Sequence, residues 1–109
     1  MTNFTPGPWE VCNSVQVFTK LAATNASGMK ADSTDGWMIA DCAPVGAFVD
    51  GSIQEMPWQE QKANAALIAD APALLDALED VMDRLVDRHD QDDSAITARA
   101  LIAKHRGES

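Results

Sequence analysis

The segment NAALIADAPALLDALEDV, residues 64–81, constrains the fold more than any other part of this sequence. Alanine and leucine dominate it, and both residues favour the α-helix. Pro72 interrupts the run, but proline suits the first turn of a helix because the amide hydrogen it lacks has no partner there. With Asp70 as the N-cap of a second helix, the segment predicts two helices that meet at Pro72.

A wide apolar stripe follows Pro72. Its residues recur at the three- and four-residue spacing of one helix face, and they are Leu74, Leu75, Leu78, Val81, Met82, Leu85 and Val86. We therefore expect this helix to supply the main core. Because the stripe is wide for a small protein, the pattern also predicts a homo-oligomer formed through the helical half of the chain. The alternative is a helix that its own sheet covers completely.

The first half of the chain has the pattern of strands and turns. Residues 9–11 and 15–17 alternate apolar and polar side chains on either side of Asn13 and Ser14, which predicts a β-hairpin. Residues 22–36 are rich in Ser, Thr, Asn, Asp and Gly, and such composition is typical of a long loop.

A third strand is expected at residues 37–42, beside the hairpin, and a fourth around residues 47–49. Glycine and proline punctuate a second loop, at Pro44, Gly46, Gly51 and Pro57. Further on, the polar segment 89–94 ends the long helix and begins a last one.

Together these patterns predict an α+β fold, with a small N-terminal antiparallel β-sheet of three or four strands packed against about three C-terminal α-helices. A chain of 109 residues has the size of one domain. We therefore expect a single domain over residues 1–109, with a β-rich half at 1–57 and a helical half at 58–109.

The net charge of the chain limits the classes of molecule that it is expected to bind. Seventeen acidic residues against eight Lys and Arg give a net charge of −9, which opposes binding to a phosphate backbone and makes nucleic acid an unlikely partner. No apolar run approaches the roughly 20 residues of a membrane span, and the first residues lack the pattern of a signal peptide. We expect no membrane association and a cytoplasmic location.

Motifs of catalysis and cofactor binding are missing from the sequence. It has no GxGxxG, Walker loop, HExxH or CxxC, so we predict no catalytic residues, no metal site and no cofactor. One row of carboxylates, Asp76, Asp80, Asp83 and Asp87, follows one side of the long helix and could hold a divalent cation. A solvated face is the favoured interpretation, because Asp80 and Arg84 have the spacing of a helical ion pair.

Aromatic and basic residues are the remaining candidates for a ligand site. The chain has three tryptophans and no tyrosine, and an exposed tryptophan can stack on a ring. We name Trp37 and Trp58 as stacking candidates, and Arg99 and Arg106 as candidates for holding a phosphate group. Core packing explains most tryptophans, and the dipole of the last helix explains its basic residues.

Two motifs carry a resemblance to a known family. TPGPW at residues 5–9 and NAALIADAPALLDALE at residues 64–79 resemble the TPGPW and NAxLIAxAPxLLxALE motifs of a family of small phage and prophage proteins. The match spans most of the chain, but Ala66 stands where that family commonly has a basic residue. The resemblance implies a phage accessory protein in the cytoplasm of its bacterial host, and it implies no reaction and no binding residues.

Three functions follow as hypotheses. The first is a non-enzymatic accessory protein that binds a host protein, such as a component of anti-phage defence, through its acidic surface. The second is an oligomeric ligand-binding protein, a sponge for a nucleotide signal, that uses the four candidate residues named above. The third is a metal-dependent enzyme that uses the aspartate row.

Overall fold

A computed structural model describes residues 3–43, 46–85 and 92–107. Its strands and helices follow one another as β1 (Trp9–Cys12), β2 (Gln16–Thr19), β3 (Met38–Asp41), β4 (Gly46–Val49), β5 (Ser52–Glu55), α1 (Trp58–Ala69), α2 (Ala71–Asp83) and α3 (Asp93–Arg106). The predicted α+β class, with sheets before helices, is confirmed. None of the helices in the described ranges has the length and apolar character needed to cross a membrane.

The main sheet has three antiparallel strands in the order β1-β2-β3. The predicted hairpin is present, and its turn holds Asn13 and Ser14 at φ values of 52° and 67°. Side chains of asparagine and serine tolerate this left-handed region better than branched ones do. The predicted third strand pairs with β2, and the register shifts between Val17 and Phe18.

Helix α1 covers one face of this sheet and completes a small core. Val17 is fully buried on the central strand, Ala65 is fully buried on α1, and Val15 and Cys42 complete the cluster. An alanine has no side-chain atom beyond Cβ, so Ala65 lets the helix approach the sheet closely. The core of the described residues therefore lies between α1 and the sheet.

The predicted fourth strand exists but belongs to a different sheet. β4 pairs with β5 in a separate two-stranded hairpin, in which Phe48 lies opposite Ile53. The second loop was therefore placed wrongly at residues 52–55, which form a strand. The missed signal was Asp50-Gly51, whose φ values of 50° and 87° make the two-residue turn that an Asp-Gly pair favours.

The prediction that the helix after Pro72 supplies the main core is wrong. No residue of α2 is buried, and Leu74 and Val81 are 53% and 54% exposed. The physical reason is that α1, and not α2, covers the sheet, while α3 packs along one edge of the apolar stripe only. Val86 and the segment 86–91 lie outside the described residues.

The joint between α1 and α2 lies where the sequence predicts it, with Pro72 in the first turn of α2. Asp70, however, makes no side-chain cap hydrogen bond. Its backbone is itself helical, with φ −84° and ψ −5°, whereas a capping side chain reaches the first amides from an extended residue. The backbone carbonyl of Asp70 instead accepts a hydrogen bond of 2.8 Å from the amide of Leu74.

Candidate functional site

The N-terminal motif folds onto the helix joint. The indole N–H of Trp9 donates a hydrogen bond of 3.1 Å to the carbonyl of Thr5, and the rings of Phe4 and Trp9 meet edge to face at 6.1 Å. Gly7 lies against Pro72 so closely that a Cβ atom on Gly7 would be 2.7 Å from the Pro72 Cβ. The two motifs noticed in the sequence are therefore in direct contact.

Arg106, in the last turn of α3, ties this junction to α2. Its guanidinium donates hydrogen bonds to Asp76 at 2.6 Å and to Glu79 at 2.9 Å. It also lies over the Phe4 ring, 5.8 Å from the centroid, at a distance typical of a cation–π contact. The hydrogen bond to Glu79, followed by the one to Asp76, raises the pKa of Arg106 above its ordinary value.

The start of the described chain also attaches to the end of α3. The backbone amide of Asn3 donates to the carbonyl of His105 at 3.4 Å, and its side-chain amide donates to the carbonyl of Lys104 at 3.3 Å. Gly107 then ends α3 in the left-handed conformation, at φ 77°. Three segments distant in sequence therefore meet, and we call the place where they meet the motif junction.

Two concave surfaces adjoin the motif junction and share Phe4, Trp9 and Pro72. The first, which we call the motif cavity, measures about 490 Å³ and has Asp76 and Arg106 in its wall. The second measures about 500 Å³ and is almost wholly apolar. Two further depressions lie between α2 and α3, and Leu78 lines all three. We call these three neighbouring depressions together the α2–α3 groove.

The four predicted ligand-binding residues lie on different parts of the fold. Trp37 precedes β3 and donates its indole N–H to the carbonyl of Ala23 at 3.0 Å, which fixes the long loop. Trp58 begins α1 and is 52% exposed, and Arg99 lies on the exposed surface of α3. Arg106 alone of the four lines the motif cavity, where its guanidinium already holds two carboxylates.

Trp9, Phe4 and Gly7 of the motif junction were absent from the predicted site. The signal that could have pointed to them was the TPGPW motif itself, since glycine and proline next to a tryptophan indicate a close backbone contact.

The predicted ion pair on the aspartate row is confirmed, with Arg84 and Asp80 3.1 Å apart. Asp87 lies outside the described residues. Within the described ranges, no His, Cys, Asp or Glu side chains form a group of three that could hold a metal ion.

Comparison with protein families gives a match that covers the whole chain. The family model described as Salmonella phage P22 protein Y8K6 matches residues 1–109. The chain belongs to this family. No curated protein and no solved structure matches the chain. The expectation of a small phage protein is thus confirmed, and the finer expectations about its activity stay predictions.

The β4–β5 hairpin is the second prominent surface of this Y8K6 family member. All eight of its strand residues are exposed, and Phe48 and Ile53 are 75% and 67% exposed. These two residues face each other across the strands, so their side chains share one face of the hairpin. Asp50 lies in the turn and Glu55 at the open end, so that an acidic residue lies at each end of the apolar pair.

Arg106→Ala should lower the thermal midpoint of unfolding more than Arg84→Ala does. The Arg106 side chain is 21% exposed and bridges two carboxylates, which repel each other once the guanidinium is gone. Arg84, with a side chain 76% exposed, pairs with one carboxylate in solvent, where ion pairs contribute little. Circular dichroism melts of the two variants in parallel check this, and equal midpoints would show that Arg106 does not hold the junction.

Proposed function

We propose that this phage protein is a non-enzymatic accessory protein that acts in the host cytoplasm by binding a host protein. The observation that supports the proposal best is the β4–β5 hairpin, which presents Phe48 and Ile53 to solvent. A two-stranded hairpin is only marginally stable in water without a packed face. A partner that covers this face therefore stabilises the hairpin while it gains the apolar contact.

Charge indicates the kind of host surface that fits. The chain carries a net charge of −9, and Asp50 and Glu55 border the apolar pair of the hairpin. Acidic surfaces favour partners with a basic surface, because opposite charges raise the association rate and exclude acidic competitors. We therefore propose a host protein with a basic groove and an apolar pocket in it, such as the nucleic-acid-binding groove of an anti-phage defence protein.

The first step of the test identifies the partner during infection. A photo-reactive amino acid at position 48 should cross-link a host protein, whereas the same residue at Met29 should not. Met29 is a matched control because it is 56% exposed and lies in the long loop, outside the hairpin. A hairpin that cross-links no host protein during infection would overturn the proposal.

The second step measures the affinity of the purified pair by calorimetry. Phe48→Ala should weaken binding by about tenfold or more, because a buried aromatic side chain contributes at least about 1.5 kcal/mol. Met29→Ala should leave the Kd unchanged within about twofold. Raising the salt concentration from about 0.05 M to about 0.5 M should weaken binding further, because salt screens the acidic and basic surfaces. Equal Kd values for Phe48→Ala and the wild type would contradict the assignment to the hairpin.

A further inference from the structure

We propose that the α2–α3 groove is the interface of a symmetric homodimer, in which a second copy of this chain packs its own α2 and α3 against the first. Helices α2 and α3 run antiparallel. Arg106 at the end of α3 reaches Asp76 near the start of α2, and Ala95 near the start of α3 lines the same depression as Leu85. Two such helix pairs, packed face to face, make a four-helix bundle.

The apolar stripe of α2 is only half covered by α3. Leu75, Leu78 and Met82 are partly buried, while Leu74 and Val81 remain more than half exposed. Leu101 adds an apolar side chain from α3 that is 45% exposed. Exposed apolar side chains of both helices therefore line the α2–α3 groove along its length.

The surface area of the chain is large enough to supply such an interface. Its accessible area is 7719 Å², whereas a folded monomer of 11.7 kDa exposes about 5,900 Å². The radius of gyration is 17.4 Å, against about 13 Å for a compact domain of this length. The excess of roughly 1,800 Å² belongs to the whole chain, the exposed β4–β5 hairpin included, and it is larger than the approximately 800 Å² that each partner buries in a standard interface.

The distribution of charge favours a second copy over a basic host protein at this surface. Asp76, Asp80 and Asp83 are spaced to lie on the side of α2 opposite Leu74 and Leu78. A basic partner would therefore meet no carboxylate along the middle of the groove. The groove needs an uncharged apolar partner face, and the exposed Leu74, Val81 and Leu101 of a second copy supply one.

The two ends of the groove carry different charge and set the orientation. His105 lines one end, within the basic last turn of α3, and Asp93 lines the other, within its acidic first turn. An antiparallel arrangement about a two-fold axis places each basic end beside the partner's acidic end. It also aligns opposite ends of the α3 helix dipoles, which is favourable.

Light scattering on the full chain tests the dimer, and we expect a species of twice 11.7 kDa at about 100 µM. Leu101→Glu and Val81→Glu should each weaken dimerisation at least tenfold, and their circular dichroism should stay native because both side chains are exposed in the single copy. Leu21→Glu is the matched control, since Leu21 is 65% exposed and lies outside the groove. A monomer of 11.7 kDa in the wild type, or a dimer that both variants preserve, would overturn the proposal.

Cysteine cross-linking tests the orientation. An equal mixture of Asp93→Cys and His105→Cys proteins should form a covalent dimer under mild oxidation, and each protein alone should not. The native Cys12 and Cys42 are half-buried and buried, so the wild type serves as the blank. Cross-linking of either single variant on its own, or no cross-linking in the mixture, would refute the antiparallel arrangement. Because Phe48 lies outside the groove, Phe48→Ala should leave the dimer intact, so failure of the host-binding proposal and failure of this one are distinguishable.

Discussion

Val17→Asp should abolish the cooperative unfolding transition of the wild-type chain. Val17 is fully buried on the central strand of the main sheet, where it packs with Val15, Cys42 and Ala65. A carboxylate there loses its hydration and finds no partner among these apolar groups. We expect a loss of about 4 kcal/mol or more, which is most of the stability of a small domain at about 5–15 kcal/mol.

Urea titration followed by circular dichroism checks this result. Met38→Asp is the matched control, because Met38 lies on β3 of the same sheet but is 53% exposed. The control should change the free energy of unfolding by about 0.5 kcal/mol or less. Similar urea midpoints for the two variants would mean that the core does not lie between α1 and the sheet.

Gly7→Ala should destabilise the fold by about 1–3 kcal/mol, the range found when atoms are forced into a packed site. The added Cβ would lie 2.7 Å from Cβ and 3.0 Å from Cγ of Pro72. A proline ring has no rotamer by which it can move away, so the N-terminal segment has to shift from the joint. For a domain of this size, each kcal/mol lowers the thermal midpoint by about 4–8 °C.

A double-mutant cycle separates this contact from a general effect of alanine at position 7. Pro72→Gly removes the ring and its Cβ, so Gly7→Ala should cost much less in that background than in the wild type. The coupling energy between the two positions is the quantity to measure. A cost for Gly7→Ala that is the same in both backgrounds would show that the two motifs do not touch.

We propose different binding roles for the β4–β5 hairpin and the α2–α3 groove. The hairpin has acidic residues at both ends, and we propose it for a basic host protein. The groove is uncharged along its middle, and we propose it for a second copy. A two-fold dimer would then carry two hairpins, so that one dimer could bind two host proteins or two sites on one.

Local sequence patterns predicted those elements that depend on neighbours in the chain. Asn13-Ser14 between two alternating segments indicated the first hairpin, and Pro72 in a helical run indicated the joint. Both features depend on backbone preferences of single residues, which act over a few positions. The second hairpin was half missed because Asp50-Gly51 was interpreted as part of a loop, although the local signal was present.

The side of each element that is buried could not be predicted in the same way. A wide apolar stripe on α2 and an alanine-rich α1 both need a packing partner, and periodicity does not say which helix covers the sheet. In the structure α1 covers the sheet, because Ala65 lets it approach closely, and the leucines of α2 stay half exposed. Likewise, the position of Arg106 in the sequence of α3 did not predict that Asp76 and Glu79 are its hydrogen-bond partners.

The sequence by itself thus determined the class of the fold, the turn of the first hairpin, the helix joint at Pro72 and the phage family. It did so because composition, turn residues and hydrophobic period act locally or over the whole chain. Only the tertiary structure decided that TPGPW contacts Pro72, that Arg106 bridges two carboxylates on α2, and that Phe48 and Ile53 stay exposed. Contacts between residues distant in sequence depend on how surfaces fit together in space, and no local pattern records that fit.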